Sequence, residues 1–538
     1  MQKSFLISFL LLLGTSLVHS HQITHAAPNG TTITVNTTDD ELNGDGDCSL
    51  REAVRAANLD QVVSGCAAGS GADTIEIPAG TYGLTLVGAN ENETLTGDLD
   101  IKADVTISGT DTETTIVDGN ATDRIFHIAP SSVVTLTALS LQNGKTIPVN
   151  GVPSTKDGGA IYVDHGKIAA SDCGFKNNIA EAVSAGAGGA IGNIGGTVEV
   201  ADCLFSENEA NSGGAIANFY GGVTTINDSA FVQNTALFHG GAIANYFGAG
   251  ELVIADSTFT LNSVSGAQSS GGAVYVYSET NASITSSNFE ENSSLEFGGA
   301  IGNDGHALSL RQSVLSNNHA YRGGALFTFA GANVEATTFS SNTANKGGGI
   351  YSYSNLDIWA STFQQNYASR QGGGIYNYIG EMVLRSLTFT ENSANTSGGA
   401  IANGSRMIAT NITLANNDAP DGSALHNFSY ALPELKSKIV NATFSLNSSS
   451  GSTILHTGGI LSIVNSLVSS NSSQNCIALY ELEIYKSNDL VTPFVSKSAI
   501  ESNGKAKLAN GKFSWRVRAC NDLACSDWTP FRKFTVAQ

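Results

Sequence analysis

Basic residues are scarce in this chain. Lysine and arginine number 26 against 47 aspartates and glutamates in 538 residues, a formal net charge of −21 at pH 7. Phosphate binding needs clustered cations, so no nucleic acid is expected among the partners. Long apolar runs are missing too. After Phe5 to Val18 no segment approaches the length of a membrane span, and no transmembrane span is expected in the mature chain. Cys and His spacings give no zinc site, and there is no Gly-Gly-x-Gly-x-Asp calcium repeat. Proline is limited to nine residues. Glycine is plentiful, with 59 residues, but follows no collagen period, and regularly placed Ile, Val and Phe argue against disorder.

What is present is a repeat. A Gly-Gly-Ala-Ile-like block recurs ten times, with first glycines read at Gly158, Gly188, Gly213, Gly240, Gly271, Gly298, Gly323, Gly348, Gly373 and Gly398, in steps of 25 to 31 residues. A second motif, Phe-x-x-Asn, follows each block, as at Phe205/Asn208, Phe259/Asn262 and Phe363/Asn366, with Leu for Phe at Leu315 and Leu414. A unit this short cannot bury its own apolar residues, so neighbours must stack and share one core. Each coil is read as a strand at Ala-Ile-x-x, another before the Phe, and a turn after the Asn. The glycines admit a tight bend, and the asparagines are placed to form a hydrogen-bonded ladder.

The N-terminus reads as a secretory leader: Lys3, the apolar run, and a cleavage site at Val18-His19-Ser20. The seven cysteines of an exported chain are expected in disulfides. Cys48 and Cys66 bracket a helix and loop. Cys173 and Cys203 take equivalent places on successive coils, within bridging reach. Cys520 and Cys525 would close a small loop, leaving Cys476 over. Leu50, Ala53, Val54 and Ala57 share one helical face behind a Ser49/Glu52 capping box. Such a helix suits the plug of a stacked-strand core.

The hexapeptide Cys-Ser-Leu-Arg-Glu-Ala at Cys48 to Ala53, with Asp73 to Tyr82 and Gly97 to Ile101, resembles a family of secreted bacterial proteins recognised by that hexapeptide. The resemblance implies a following right-handed parallel β-helix. The paired glycine and Phe-x-x-Asn motifs over residues 158 to 447 are similar to the repeats of bacterial polymorphic outer-membrane proteins, which implies a surface-exposed protein associated with adhesion. Such proteins end in a transmembrane β-barrel, and the last residues here lack its alternating ten-residue strands. Leu479 to Tyr485, Phe513 to Cys520 and Trp528 to Val536 instead look like later strands of a fibronectin type III domain. The expected fold is therefore all-β: a right-handed parallel β-helix (solenoid) with an N-terminal helical cap and a short C-terminal antiparallel fibronectin type III-like remnant. The expected divisions are a signal peptide over 1–20, a capping segment over 21–105, the β-helix over 106–475 and the partial fibronectin-like segment over 476–538.

Chemistry is harder to find. Glycoside hydrolysis needs carboxylates converging on one face, and no set like that of polygalacturonases is present. Arg311, Arg322, Arg370 and Arg385 form no cluster in the sequence. Asn43, Asp45 and Asp47 alternate as calcium ligands do, but Cys48 and Val54 occupy the places of the loop's Gly and closing Glu, so a polar turn is the preferred reading and calcium the only cofactor considered. The feature that stands out is aromatic. With Ile216, Ile243, Val274, Ile301, Leu326, Ile350, Ile375 and Ile401 inward, alternation sends Phe219, Tyr246, Tyr275, Tyr277, Phe327, Phe329, Tyr351, Tyr353, Tyr376 and Tyr378 outward, with a gap at Gly302 and Asp304. Rings in a row can stack on sugars or anchor a protein. The same periodicity also allows a covering loop or an inward bend. The expected function is a secreted, extracellular or cell-surface binding module contacting a glycan or an extracellular protein. A polysaccharide lyase or glycoside hydrolase and a structural stalk are the alternatives.

Overall fold

The computed structural model describes residues 30–88, 91–146, 158–181, 188–246, 248, 250–277, 279–429, 435–469 and 471, and the strands 479–486, 495–499, 511–520 and 532–536. The leader, Cys476 and Cys525 lie outside these residues. The described strands form parallel sheets of 29, 14 and 10 strands and a separate antiparallel sheet of four. The chain is a parallel β-helix. No described helix is long and apolar enough to cross a membrane.

The coil over residues 301–323 shows how the repeat is built. Ile301–Asn303 joins the 14-stranded sheet, Ala307–Arg311 and Val314–Ser316 the 29-stranded sheet, and His319–Arg322 the 10-stranded sheet. Left-handed residues make three of the corners: Gln312, Asn317 and Gly323, with φ of 49°, 57° and 68°. For the two non-glycines that conformation costs about 1–2 kcal/mol each, and stacking on both sides offsets it. The turn thus falls one residue before the motif asparagine, here Asn318, and not after it; the asparagine leads into a further short strand. Ile216, Ile243, Val274, Ile301, Leu326, Ile350, Ile375 and Ile401 pair directly from coil to coil and are fully buried, as their spacing predicts.

The two glycines of a block do different work. Gly240 has φ 59°, whereas a Cβ on Gly241 would lie 2.1 Å from the carbonyl oxygen of Gly272 on the next coil. The same distinction corrects the register of two blocks. In the triple-glycine blocks Gly347 and Gly372 hold the positive φ, so Gly348 and Gly373 are second glycines. Gly422, φ 54°, opens an eleventh block in which Ser423 replaces the second glycine.

Three side-chain columns run up the cylinder. Phe175, Phe205, Phe231, Phe259 and Phe289 stack with centroids 4.5–4.8 Å apart and planes within 5°. Leu315 interrupts them before Phe339, Phe363 and Phe389 resume. The second column is the asparagine ladder, unbroken from Asn178 to Asn471. Asn292 is typical. Its Nδ2 donates to Phe259 O at 2.9 Å and to Asn318 Oδ1 at 3.0 Å, while its Oδ1 accepts the backbone N–H and Nδ2 of Asn262, both at 3.0 Å. Both donors and both acceptor sites are used. In the third column, Ser229, Ser257, Ser287 and Ser313 each accept the backbone N–H of the residue one coil before.

Cys173 and Cys203 begin this third column. They are stacked and buried, yet both are free thiols, so the expected bridge between them is not formed. Each Sγ turns back to the carbonyl two residues earlier, 3.3 Å to Ser171 O and 3.1 Å to Ala201 O, as the serines do. Cys48 and Cys66 are bridged as expected.

Leu50–Leu59 forms helix α1, with the Ser49/Glu52 capping box in place. Its apolar face packs on Thr32–Thr34, Asp73–Glu76 and Leu99–Ile101, which puts it over the first strands as a cap. Buried Arg51 meets Asp40 at 2.6 Å and donates to Gly97 O at 2.9 Å. At the other end of the chain, Leu479–Lys486 pairs antiparallel with Val495–Ala499 and Gly511–Cys520, and the latter with Arg532–Val536.

Replacing one rung of the ladder is expected to be costly. Asn292→Ala leaves the Asn262 backbone N–H without its acceptor and removes one bond each from the Asn262 side-chain amide, the Asn318 side-chain oxygen and the Phe259 carbonyl, at about 1–3 kcal/mol for a buried group left unsatisfied. A urea-unfolding comparison should show a loss of at least about 2 kcal/mol. A loss well under 1 kcal/mol would mean the ladder does not hold the coils. Cys48→Ser/Cys66→Ser should lower stability by about 3 kcal/mol, the value for a loop of this length, read in the same assay.

Candidate functional site

Most strands of the 14-stranded sheet, though not the last two, Leu425–Asn427 and Ile454–His456, present three buried residues, as in Val274–Val276 and Leu326–Thr328. The outer two point into the cylinder and the middle one points away from it. The middle residues form a column of direct neighbours: Ala217, Ala244, Tyr275, Gly302, Phe327, Tyr351, Tyr376, Ala402 and His426. Two residues further along each coil, Phe219, Tyr246, Tyr277, Asp304, Phe329, Tyr353, Tyr378, Gly404 and Phe428 make a second column. Nine of the ten predicted rings lie outside the cylinder in two clusters separate from the core and divided near Gly302 and Asp304, and the tenth, Phe329, lies beside Tyr353 with centroids 5.6 Å apart.

They are not, however, an open stripe. Phe219, Tyr246, Tyr275, Phe327, Tyr351 and Tyr376 are buried, Tyr277, Tyr353 and Tyr378 half-buried, and Phe329 is 58% exposed. The cause lies in the first column. Where it carries Ala217 and Ala244, the rings of Phe219 and Tyr246 settle over the methyls. Where it carries Tyr351 and Tyr376, those rings fill the space and Tyr353 and Tyr378 ride above them, with centroid distances of 5.3 Å from Tyr351 to Tyr353 and 4.8 Å from Tyr353 to Tyr378. The rings therefore cover one another.

A third column from the edge of the 10-stranded sheet walls one side: His239, Ser270, Phe297, Arg322, Lys346, Gln371 and Ser397 are bridged in sequence. The His239 ring stacks on Tyr275 at 4.3 Å, and its Nδ1 is buried without a hydrogen-bond partner among the described residues. Burial holds its pKa at about 4. The Tyr275 hydroxyl donates to Asp304 Oδ2 at 3.0 Å, and the Tyr246 hydroxyl meets Ser212 Oγ at 3.0 Å. Burial pushes both phenols and Asp304 up from their ordinary values. In the second cluster Arg322 lies over the rings of Phe297 and Tyr351 at 5.5 and 5.8 Å, and Lys346 over Tyr376 at 4.5 Å. The sequence hides this juxtaposition, because Arg322 and Lys346 are recognisable as neighbours only once each is counted as the residue before a first glycine.

A second set of asparagines also went unread. Asn193, Asn218 and Asn245 are linked at 2.6 and 2.7 Å, and Asn377, Asn403 and Asn427 at 2.9 and 2.8 Å. The recurring Ile-x-Asn would have revealed them. They fasten the ends of those strands beneath the aromatic face.

Other acidic groups lie elsewhere. A cleft of 310 Å³ contains Asp357 and Glu381, each in an ion pair at 2.6 Å, with Arg385 and Arg406. A second cleft, of 540 Å³, is lined by Asp172, Asp202, Asp228 and Asp256, exposed corner residues one coil apart. Near the cap the carboxylates of Glu41, Asp45 and Asp47 come together, while Asn43 accepts the Asp45 N–H at 2.9 Å in a local turn.

Comparison with known proteins finds the Chlamydia polymorphic membrane protein repeat at residues 336–353, 360–378 and 386–404, three successive coils that include Tyr351, Tyr353, Tyr376 and Tyr378. No curated protein matches the chain. Among solved structures, the A-module of a mannuronan C-5 epimerase from Azotobacter vinelandii is similar at 10% identity over 82% of this chain and 99% of that one, with a TM-score of 0.25. A mannuronic acid-specific polysaccharide family 6 lyase from human gut microbiota is similar at 9% identity over 74% and 80%, with a TM-score of 0.28.

His239 should make the face acid-sensitive. Its folded pKa of about 4 lies below the ordinary 6.5, so its contribution is intact above pH 6.5 and is lost as pH falls towards 4. His426, also held at about 4 by burial and then by His456, adds to the same window. Thermal unfolding at pH 7 and pH 4.5 should show a smaller drop for His239→Gln than for the unaltered protein. Equal drops would remove His239 from the account.

Proposed function

We propose that this protein is a secreted or cell-surface binding module that holds a glycan or an extracellular protein on the aromatic face. The observation that carries this reading is the pair of ring layers over residues 327–378: a buried layer of Phe327, Tyr351 and Tyr376 that fixes a partly exposed one of Phe329, Tyr353 and Tyr378. Rings already locked by neighbours lose little freedom when a ligand stacks on them, which favours binding. The repeat shared with Chlamydia polymorphic membrane proteins, whose name places them at a membrane, supports surface display, and the leader read over 1–20 supports export. In this reading the coils below the face act as a rigid support and the N-terminal segment as their cap.

The test is a glycan array and a panel of matrix proteins probed with purified mature protein and with a Phe329→Ala/Tyr353→Ala/Tyr378→Ala variant. Stacked rings are worth roughly 0.5–1.5 kcal/mol each, so the variant should bind at least about tenfold more weakly. Retained binding, or none by the unaltered protein, would sink the proposal. Sugars released in the same samples would favour the polysaccharide-cleaving alternative.

A further inference from the structure

The chain carries a large excess of negative charge, yet its aromatic face is edged by cations. Arg322 and Lys346 are direct neighbours on successive coils, and Lys346 pairs with Gln371 on the next, beside Arg370. Arg322 and Lys346 are half-buried and Arg370 is exposed. None of the three forms a salt bridge among the described residues. On other faces Arg311, Arg385 and Arg406 each reach a carboxylate one coil away, at 3.6, 2.6 and 2.6 Å. Burial first, then Arg370 and Arg322, push the Lys346 pKa down. Among the described residues, like charges have thus been brought together without a counter-ion, in a protein with many carboxylates to spare. Glu296, on the coil before Arg322, lends it only a backbone carbonyl, at 2.8 Å.

The cations are also held in place. Arg322 lies over Phe297 and Tyr351, and Lys346 donates to the Tyr376 hydroxyl at 3.1 Å. Of these rings, Tyr351 and Tyr376 are buried and belong to the cluster on which Tyr353 and Tyr378 pack. A row of positive charge therefore runs parallel to a row of partly exposed rings, both advancing by one strand spacing of about 4.8 Å per coil. Sugar units of an extended chain advance by a similar step. A ring face for the apolar side of each sugar and a cation for its acidic group meet the two demands of one ligand class.

Resting on the aromatic-face reading, we propose that the ligand is an acidic glycan, its carboxylate or sulfate groups paired with Arg322, Lys346 and Arg370 and its sugar rings stacked on Tyr353 and Tyr378. Such a ligand supplies the missing counter-charge, and its binding should weaken as salt is raised.

The experiment titrates the full protein with polygalacturonate, hyaluronan and chondroitin sulfate, each beside its neutralised form (methyl-esterified, or for the last also desulfated). At least one acidic polymer should bind tenfold or more tightly than its neutral form. Arg322→Gln/Lys346→Met should erase that preference, and Lys346→Arg should keep it. Circular-dichroism melts check that each variant is folded. Equal binding of acidic and neutral forms, binding of none of the acidic polymers, or a preference that survives in the double variant would overturn the inference. The ring variant separates the two readings: if it loses neutral and acidic polymers alike, the face stands whatever the charge preference. If it loses neither, the face itself falls.

Discussion

Inside the ladder that runs from Asn178 to Asn471, each buried asparagine side chain is satisfied by the one above it, the one below it and a main-chain carbonyl. That arrangement governs this structure. Apolar columns of Ile and Phe gain nearly as much from sliding as from staying in place, since a hydrophobic contact has no direction. The amide column does have direction. Displacing Asn292 from between Asn262 and Asn318 would strand several buried donors and acceptors at once. Register is fixed there, and the coils follow.

Everything else is a consequence of stacking at one spacing. With the next coil's Gly272 carbonyl held where a Cβ on Gly241 would project, a side chain at that column would push the coils apart. Left-handed corners at Asn317 and Gln312 are tolerated because both neighbouring coils turn at the same place. Coil length can vary only where no column passes, and that is how the steps between blocks differ without disturbing the core. The aromatic face inherits this order: Tyr351 and Tyr376 are neighbours because Ile350 and Ile375 are.

Much of this was legible in the sequence, for a physical reason. Period, inward Ile, stacked Phe, asparagine ladder, capping helix and the Cys48–Cys66 bridge all depend on residues that recur or lie close together. What escaped depends on relations between coils. Three adjacent glycines do not say which takes the left-handed corner, and only the backbone at Gly347 and Gly372 decides it. The column occupied by Cys173 and Cys203 continues as serine, a pattern that points to local hydrogen bonding as readily as to a bridge. Ring exposure was the least legible. Whether Tyr353 stands above the surface depends on Tyr351 beneath it, and whether Phe219 lies flat depends on Ala217 and Ala244. No single coil holds that information.

The direction of the hydrogen bonds has a mechanical consequence. The sheet bonds and the asparagine-to-asparagine bonds run along the cylinder axis, from coil to coil. Tension on the two ends would open them one coil at a time, starting where support is weakest. A pull sideways, from something held across several coils, would instead load many bonds together in shear. A solenoid of this construction resists force best when gripped along its flank, which is where its rings are.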